Sequence, residues 1–149
     1  MLLRGRAPFT TGRSRFADHS PAAKDPTAKI YVRVAFEQGS EVLAQLDTGA
    51  AWSVLAPDLA RALGVSAPAG YPARMRTPLG VMNGYLVRLP LTLWADEGED
   101  LQLDGTFFVS DNWPDGMTFL GYSGLLDALR FAVDPQANDF YFGLPTESW

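Results

Sequence analysis

The 149-residue sequence contains no cysteine and only one histidine, His19. The absence of cysteine excludes disulfide bonds, thiolate metal sites and a cysteine nucleophile. A single histidine excludes a histidine-rich metal cluster, and a Ser-His-Asp triad would depend on that one residue in the N-terminal segment. We therefore expect chemistry that uses carboxylates, hydroxyls, lysines or arginines, with no metal and no cofactor.

Long apolar runs are missing as well. No segment approaches the roughly 18 consecutive apolar residues of a membrane helix. Met1-Leu2-Leu3 is followed at once by Arg4, so the apolar centre of a signal peptide is not seen. We expect no membrane partner and a cytoplasmic location. Hydrophobic residues still make up 47% of the chain, which suffices for the core of one folded domain.

Charge is distributed unevenly along the chain. Residues 1–29 carry six basic side chains and two acidic ones, whereas residues 30–149 carry six arginines and fifteen acidic side chains. The acidic body would repel nucleic acid, because phosphate contacts require clustered lysine and arginine. We therefore expect no nucleic-acid partner. The basic head is either an anion-binding arm or a solvated tail, and the tail is favoured.

The composition of the head predicts two parts in the chain. Residues 1–28 mix glycine, proline, serine, threonine and arginine with little periodicity, which predicts a flexible or loosely docked segment. The segment could add an edge strand between Pro8 and Pro21, or be a pro-segment that self-cleavage removes. Residues 29–149 are predicted to form the single folded domain.

From Ile30 onward, alternating apolar residues predict about eight short strands and two short helices, a mostly β fold. Three antiparallel hairpins are expected: 30–36 with 41–46 through a turn at 38–40, 74–77 with 81–94, and 130–133 with 140–143. The helices are expected at 57–63 and near 123–129. Residues 95–105 form an acidic segment that could bind a metal ion, but its spacing does not match a calcium loop and a solvated turn is favoured.

The chemically informative motif is Asp47-Thr48-Gly49, which directly follows the apolar strand ending at Leu46. An aspartate at a strand end is usually a turn residue, because its side chain bonds nearby backbone N–H groups. The tripeptide alone is therefore weak evidence for catalysis. Three further features favour a catalytic interpretation of the tripeptide. They are the buried-looking strand before it, the long hairpin after it, and the apolar-apolar-glycine segment that follows the hairpin.

With these features the chain resembles the retropepsin-like aspartic proteases, the single-lobe relatives of pepsin. The resemblance covers roughly residues 29–144. It rests on Leu46-Asp47-Thr48-Gly49-Ala50, Ser53-Val54-Leu55 with the helix at 57–63, the hairpin around Leu79-Gly80-Val81, Phe119-Leu120-Gly121 before Leu125-Leu126, and the final hairpin from Phe131 to Phe140. It implies a single-lobe acid-protease β-barrel with one or two short helices and a flap hairpin.

The resemblance also implies a role for each motif. Asp47 would be the catalytic carboxylate, supported by Thr48, Gly49 and Ala50. The flap would bind substrate through its tip at Leu79, Gly80 and Val81, with Asn83-Gly84 as the competing tip. Leu120 and Gly121 would lie behind the catalytic loop. Tyr122, Ser123 and Gly124 depart from the family pattern, in which an acidic residue, asparagine or arginine often follows Gly121 and braces this loop.

One carboxylate is not enough for this chemistry, since aspartic proteases use two that share a proton. The chain has no second Asp-Thr-Gly or Asp-Ser-Gly, and Asp104 and Asp115 are each followed directly by glycine. The second carboxylate is therefore expected from Asp47 of another copy, which makes the predicted enzyme a homodimer. The predicted function is an aspartic endopeptidase acting on extended peptides or unfolded protein.

Two other functions remain open at this stage. The first is a catalytically inactive module of the same fold that dimerises or binds peptides. An intact Asp-Thr-Gly argues against it, because such a module has no use for a carboxylate pair on its axis. The second is a small-ligand β-barrel, which rests on the fold class alone.

Overall fold

The computed structural model describes residues 1–23, 26–37, 41–65, 67 and 70–145. In that part of the chain the fold is mostly β, as predicted, with one α-helix, α1 (Pro57–Ala62), and a 3₁₀ helix at Leu126–Ala128. The strands are β1 (Leu3–Arg4), β2 (Ala7–Pro8), β3 (Gly12–Arg15), β4 (Tyr31–Phe36), β5 (Glu41–Leu46), β6 (Ser53–Val54), β7 (Tyr71–Thr77), β8 (Gly80–Leu93), β9 (Glu97–Gly98), β10 (Leu101–Val109), β11 (Phe119–Leu120), β12 (Arg130–Asp134) and β13 (Asp139–Gly143).

Seven of these strands form a barrel that holds the candidate site. Their order is β10-β6-β11-β5-β4-β8-β7, and β10 also pairs with β8, which closes the sheet on itself. The predicted hairpins β4–β5, β7–β8 and β12–β13 are all antiparallel pairs in the structure. The turn predicted at 38–40 lies outside the described residues.

A second sheet of four strands includes part of the N-terminal segment. Its order is β12-β13-β3-β9, so β3 lies between two strands of the predicted domain. Phe16, which follows β3, is buried in the main core at 6% exposure. The sequence led us to expect a flexible or loosely docked segment over residues 1–28. Residues 12–16 instead pair with β13 and pack into the core, because hydrogen bonds and apolar contact with distant residues order a stretch that has little periodicity of its own.

Apolar side chains form two separate clusters inside the molecule. The main cluster fills the barrel and extends under the four-stranded sheet. The smaller cluster lies beneath the β7–β8 hairpin. Fully buried residues of the main cluster include Val34, Leu55, Phe107, Leu125, Phe140 and Phe142.

The acidic segment at 95–105 differs from the solvated turn that was favoured. Glu97–Gly98 forms β9, and β10 already begins at Leu101. Asp96 accepts the backbone N–H of Arg15 and makes an ion pair with Arg33. These contacts use the acidic side chains to hold β3 and β4 rather than leaving them to water. Among the described residues, no group of three or more histidine, aspartate and glutamate side chains is placed to hold a metal ion.

Candidate active site

Asp47 lies in the loop that connects β5 to β6. Its backbone N–H donates to the carbonyl of Leu120 at 2.9 Å, which extends the parallel pairing of β5 with β11. The N–H of Gly49 donates to Oδ1 of Asp47 at 3.0 Å, so this carboxylate oxygen closes a local turn. Asp47 is partly buried, whereas Thr48 and Gly49 are exposed. The loop therefore presents a carboxylate at the protein surface in a fixed orientation.

The segment after β11 holds the other half of this loop. The N–H of Tyr122 donates to the carbonyl of Ala50 at 2.9 Å. Gly121 fits here because it has no side chain, since a Cβ at this position would overlap the backbone carbonyl of Trp52. Leu120 is buried in the main core. Leu120 thus contacts the Asp47 loop through its backbone carbonyl, and Gly121 packs closely against Trp52.

The β7–β8 hairpin turns at Pro78 and Leu79, because Thr77 pairs with Gly80. The Thr77 hydroxyl accepts the N–H of Leu79 at 3.1 Å and donates to the carbonyl of Gly80 at 2.9 Å. Gly80 has a φ of +109°, a region that only glycine enters readily. Leu79 and Val81 are 67% and 54% exposed, so the tip presents two apolar side chains to solvent.

The competing tip at Asn83-Gly84 is not a turn, since both residues lie within β8. Gly84 has a different structural reason to be glycine. A Cβ on it would overlap the carbonyl of Val109 in β10, so the glycine permits the close approach of β8 to β10.

The underside of the hairpin packs on the smaller hydrophobic cluster. Met75 and Met82 face inward, each 7% exposed, and contact a cluster that contains Phe108 and Trp113. The indole N–H of Trp113 donates to the carbonyl of Met117 at 2.7 Å. The base of the hairpin is therefore anchored to its own chain, and the exposed turn at 78–79 projects beyond it.

Part of the chain is similar to a known protein family. A family model for aspartyl proteases matches residues 32–104, a range that includes the Asp47 loop and the β7–β8 hairpin. Over this range the chain is similar to the aspartyl proteases. No curated protein matches the sequence.

Two solved structures show the retropepsin-like fold of the chain. A retropepsin-like aspartic protease from Rickettsia conorii has 18% identity and a TM-score of 0.61, with 89% of this chain and 92% of that chain covered. The retroviral protease-like domain of Ddi1 from Leishmania major has 16% identity and a TM-score of 0.54, with 84% of this chain and 97% of that chain covered. At these identities the likeness concerns the fold.

Sequence reasoning missed one residue of this retropepsin-like site, Ser53. Its side chain is fully buried, and its Oγ accepts the N–H of Gly121 at 2.9 Å. Thr118 makes a similar contact, since its Oγ1 accepts the N–H of Ala56 at 3.1 Å. A serine at the start of an otherwise apolar strand was the one signal, and it does not reveal a partner 68 positions away.

The structure places the remaining candidate aspartates in other contacts. Asp115 accepts the N–H of Asp58 at 3.1 Å, near the start of α1. Asp104 lies in β10 opposite Pro90 of β8.

In the described part of the chain, no helix is long and apolar enough to cross a membrane.

Proposed function

We propose that this chain is a homodimeric aspartic endopeptidase whose active site pairs the Asp47 carboxylates of two copies. The observation that carries the proposal is the geometry of the Asp47 loop. The loop holds a partly buried carboxylate at the surface, braced by Leu120 from behind, within the fold of an aspartic protease family.

The chemistry requires two carboxylates with different protonation. Two carboxyl groups a few ångströms apart cannot both ionise, so the pair holds one shared proton. The ionised carboxylate takes a proton from water as the water oxygen attacks the peptide carbonyl carbon. The protonated carboxyl donates its proton to the carbonyl oxygen. The first carboxyl then gives the proton it took from water to the amide nitrogen, while the second carboxylate takes a proton back from a hydroxyl of the tetrahedral intermediate. The C–N bond breaks, the amine and the carboxylic acid leave, and the pair again holds one proton.

Residues around Asp47 take supporting roles in this proposal. The Thr48 hydroxyl bonds across to the partner loop and holds the two carboxyl groups in one plane. Gly49 and Ala50 leave room for water and substrate beside the carboxylates. Leu79, Gly80 and Val81 close over an extended peptide, where backbone groups bond the substrate and the apolar tip excludes water.

The dimer follows from the number of available aspartates. The chain carries one Asp-Thr-Gly, and Asp104 and Asp115 make other contacts. A two-fold axis beside Asp47 supplies the second carboxylate from an identical loop. All residues with a proposed role lie within 29–149, the range that we assign to the protease domain, while β3 completes its second sheet.

Cleavage of an unstructured protein at about pH 4–6 tests the proposal. We expect the wild-type chain to cut it and Asp47→Asn to abolish the cut, because an amide can neither activate water nor share the proton. A statine-type transition-state analogue should inhibit the wild type. Equal rates for the wild type and Asp47→Asn would refute the proposal. A folded dimer with no cleavage would support the alternative, an inactive peptide-binding module.

A further inference from the structure

Strand β7 is the outer edge of the barrel sheet in the described part of the chain. It pairs with β8 on one side and ends the strand order on the other. An edge strand presents backbone N–H and C=O groups that another extended chain can pair with. Its side chains alternate between two faces, so that Met75 and Thr77 are buried while Arg74 and Arg76 are exposed.

Arg74 and Arg76 are exposed cations of the barrel for which the described part of the chain offers no ion-pair partner. Six arginines occur in residues 30–149, and four of them contact a described residue through an ion pair, a hydrogen bond or an aromatic ring: Arg33, Arg61, Arg88 and Arg130. Arg74 and Arg76 have no such contact among the described residues. The residues opposite them in β8 are Asn83 and Val81, which carry no charge.

Arg74 and Arg76 are two positive charges in a part of the chain that is otherwise mostly acidic. Residues 30–149 carry fifteen acidic side chains against six arginines, yet among the described residues no carboxylate makes an ion pair or hydrogen bond with Arg74 or Arg76. Charged side chains on an edge strand often have no role beyond preventing edge-to-edge aggregation. Here they occupy the exposed face of the strand that leads directly into the hairpin tip.

We propose that Arg74 and Arg76 select extended peptides that carry acidic residues at alternating positions. This inference rests on the proposed peptide-binding role of the hairpin. A peptide that pairs with β7 places every second side chain on the outer face, beside the two guanidinium groups. The intervening side chains point to the inner face, on the side of Met75 and Thr77. The favoured substrate pattern is therefore apolar residues alternating with aspartate or glutamate.

Binding to the Asp47→Asn protein tests this inference without requiring cleavage. The probes are two labelled peptides of about eight residues, long enough to pair along β7. They share the same apolar positions and carry either glutamate or glutamine at the alternating positions. Fluorescence anisotropy at low salt should show that the glutamate peptide binds about threefold to tenfold more tightly. The difference should vanish at about 1 M salt, where exposed charges are screened.

A matched pair of variants separates the two arginines from net charge. Arg74→Gln/Arg76→Gln in the Asp47→Asn background should bind both peptides equally. Arg61→Gln/Arg88→Gln removes the same charge elsewhere on the surface and should keep the preference for glutamate. Equal binding of the two peptides to the parent protein, binding of neither, or a preference that survives Arg74→Gln/Arg76→Gln would overturn the inference. Loss of cleavage in Asp47→Asn tests the protease proposal separately.

Discussion

The backbone N–H of Gly121 donates to the Oγ of Ser53 at 2.9 Å, inside the protein. This bond joins the first residue of β6 to the residue behind the Asp47 loop. The segment that begins at Gly121 also contacts this loop through the N–H of Tyr122, which donates to the carbonyl of Ala50. The buried Ser53 hydroxyl therefore holds the start of the segment that follows β11.

Ser53→Ala should destabilise the fold by about 1–3 kcal/mol, because it leaves the buried N–H of Gly121 without an acceptor. We also expect a lower kcat with little change in KM, since the Asp47 loop loses a brace. Thermal unfolding and steady-state kinetics check both results. Thr10→Val is the matched control, because Thr10 Oγ1 also accepts a backbone N–H but lies near the N-terminus. An unchanged kcat in Ser53→Ala would contradict the bracing role.

Trp113→Ala should lower the free energy of unfolding by about 3–5 kcal/mol, because it empties the cluster that supports Met75 and Met82. The hairpin should also become more accessible to limited proteolysis near Pro78, since its base loses an anchor. Urea unfolding and mapping of the cut sites measure the two effects. Proteolysis that remains as slow as in the wild type would show that the hairpin does not depend on this cluster.

Phe16→Ala should destabilise the chain by about 3–5 kcal/mol, because Phe16 lies in the main core. A loosely docked segment would tolerate the change with almost no loss of stability. Chemical denaturation distinguishes the two cases, with Phe9→Ala as a comparison at a partly buried position of the same segment. A change within about 0.5 kcal/mol of the wild type would support the sequence-based expectation for residues 1–28.

Asp96→Asn should change how the melting temperature of the protein depends on pH. The backbone N–H of Arg15 and the Arg33 side chain hold the pKa of Asp96 below its ordinary value. A lowered pKa in the folded state contributes stability above the unfolded value near pH 3.9, and that contribution is lost as the pH falls through the folded pKa. The melting temperature of Asp96→Asn should therefore lie below that of the wild type at about pH 5 and approach it at about pH 2–3. A gap that stays constant over this range would contradict the prediction.

The pattern of residues was enough to predict a mostly β fold, and the resemblance to retropepsin-like proteases implied the barrel. Alternation in β4 and β5 marks the strand that ends at Asp47, and Gly80 marks a turn through its need for a positive φ. These signals are local, because each arises from residues a few positions apart. They led to the same loop and hairpin that the structure contains.

Features that depend on distant partners were predicted only in part. The sequence left open an edge strand between Pro8 and Pro21, and β3 forms there, but it lies between β13 and β9 rather than at an edge. Strand β3 has the sequence Gly-Arg-Ser-Arg, which carries no apolar alternation. It becomes a strand because β13 and β9 pair with it and because Arg13 bonds Glu97 and Asp139 at 2.5 and 2.8 Å. The role of Ser53 is hidden for the same reason, since its partner is remote in sequence.

Mixing the wild-type chain with Asp47→Asn is the most direct test of the paired active site. If each site needs an Asp47 from both copies, mixed dimers are inactive. At equal amounts, statistical exchange leaves about half of the wild-type chains in wild-type pairs. After exchange, with saturating substrate, the cleavage rate should fall to about half that of the same wild-type protein alone, and to about a tenth with a ninefold excess of the variant. A rate that stays unchanged at every ratio would contradict the shared site.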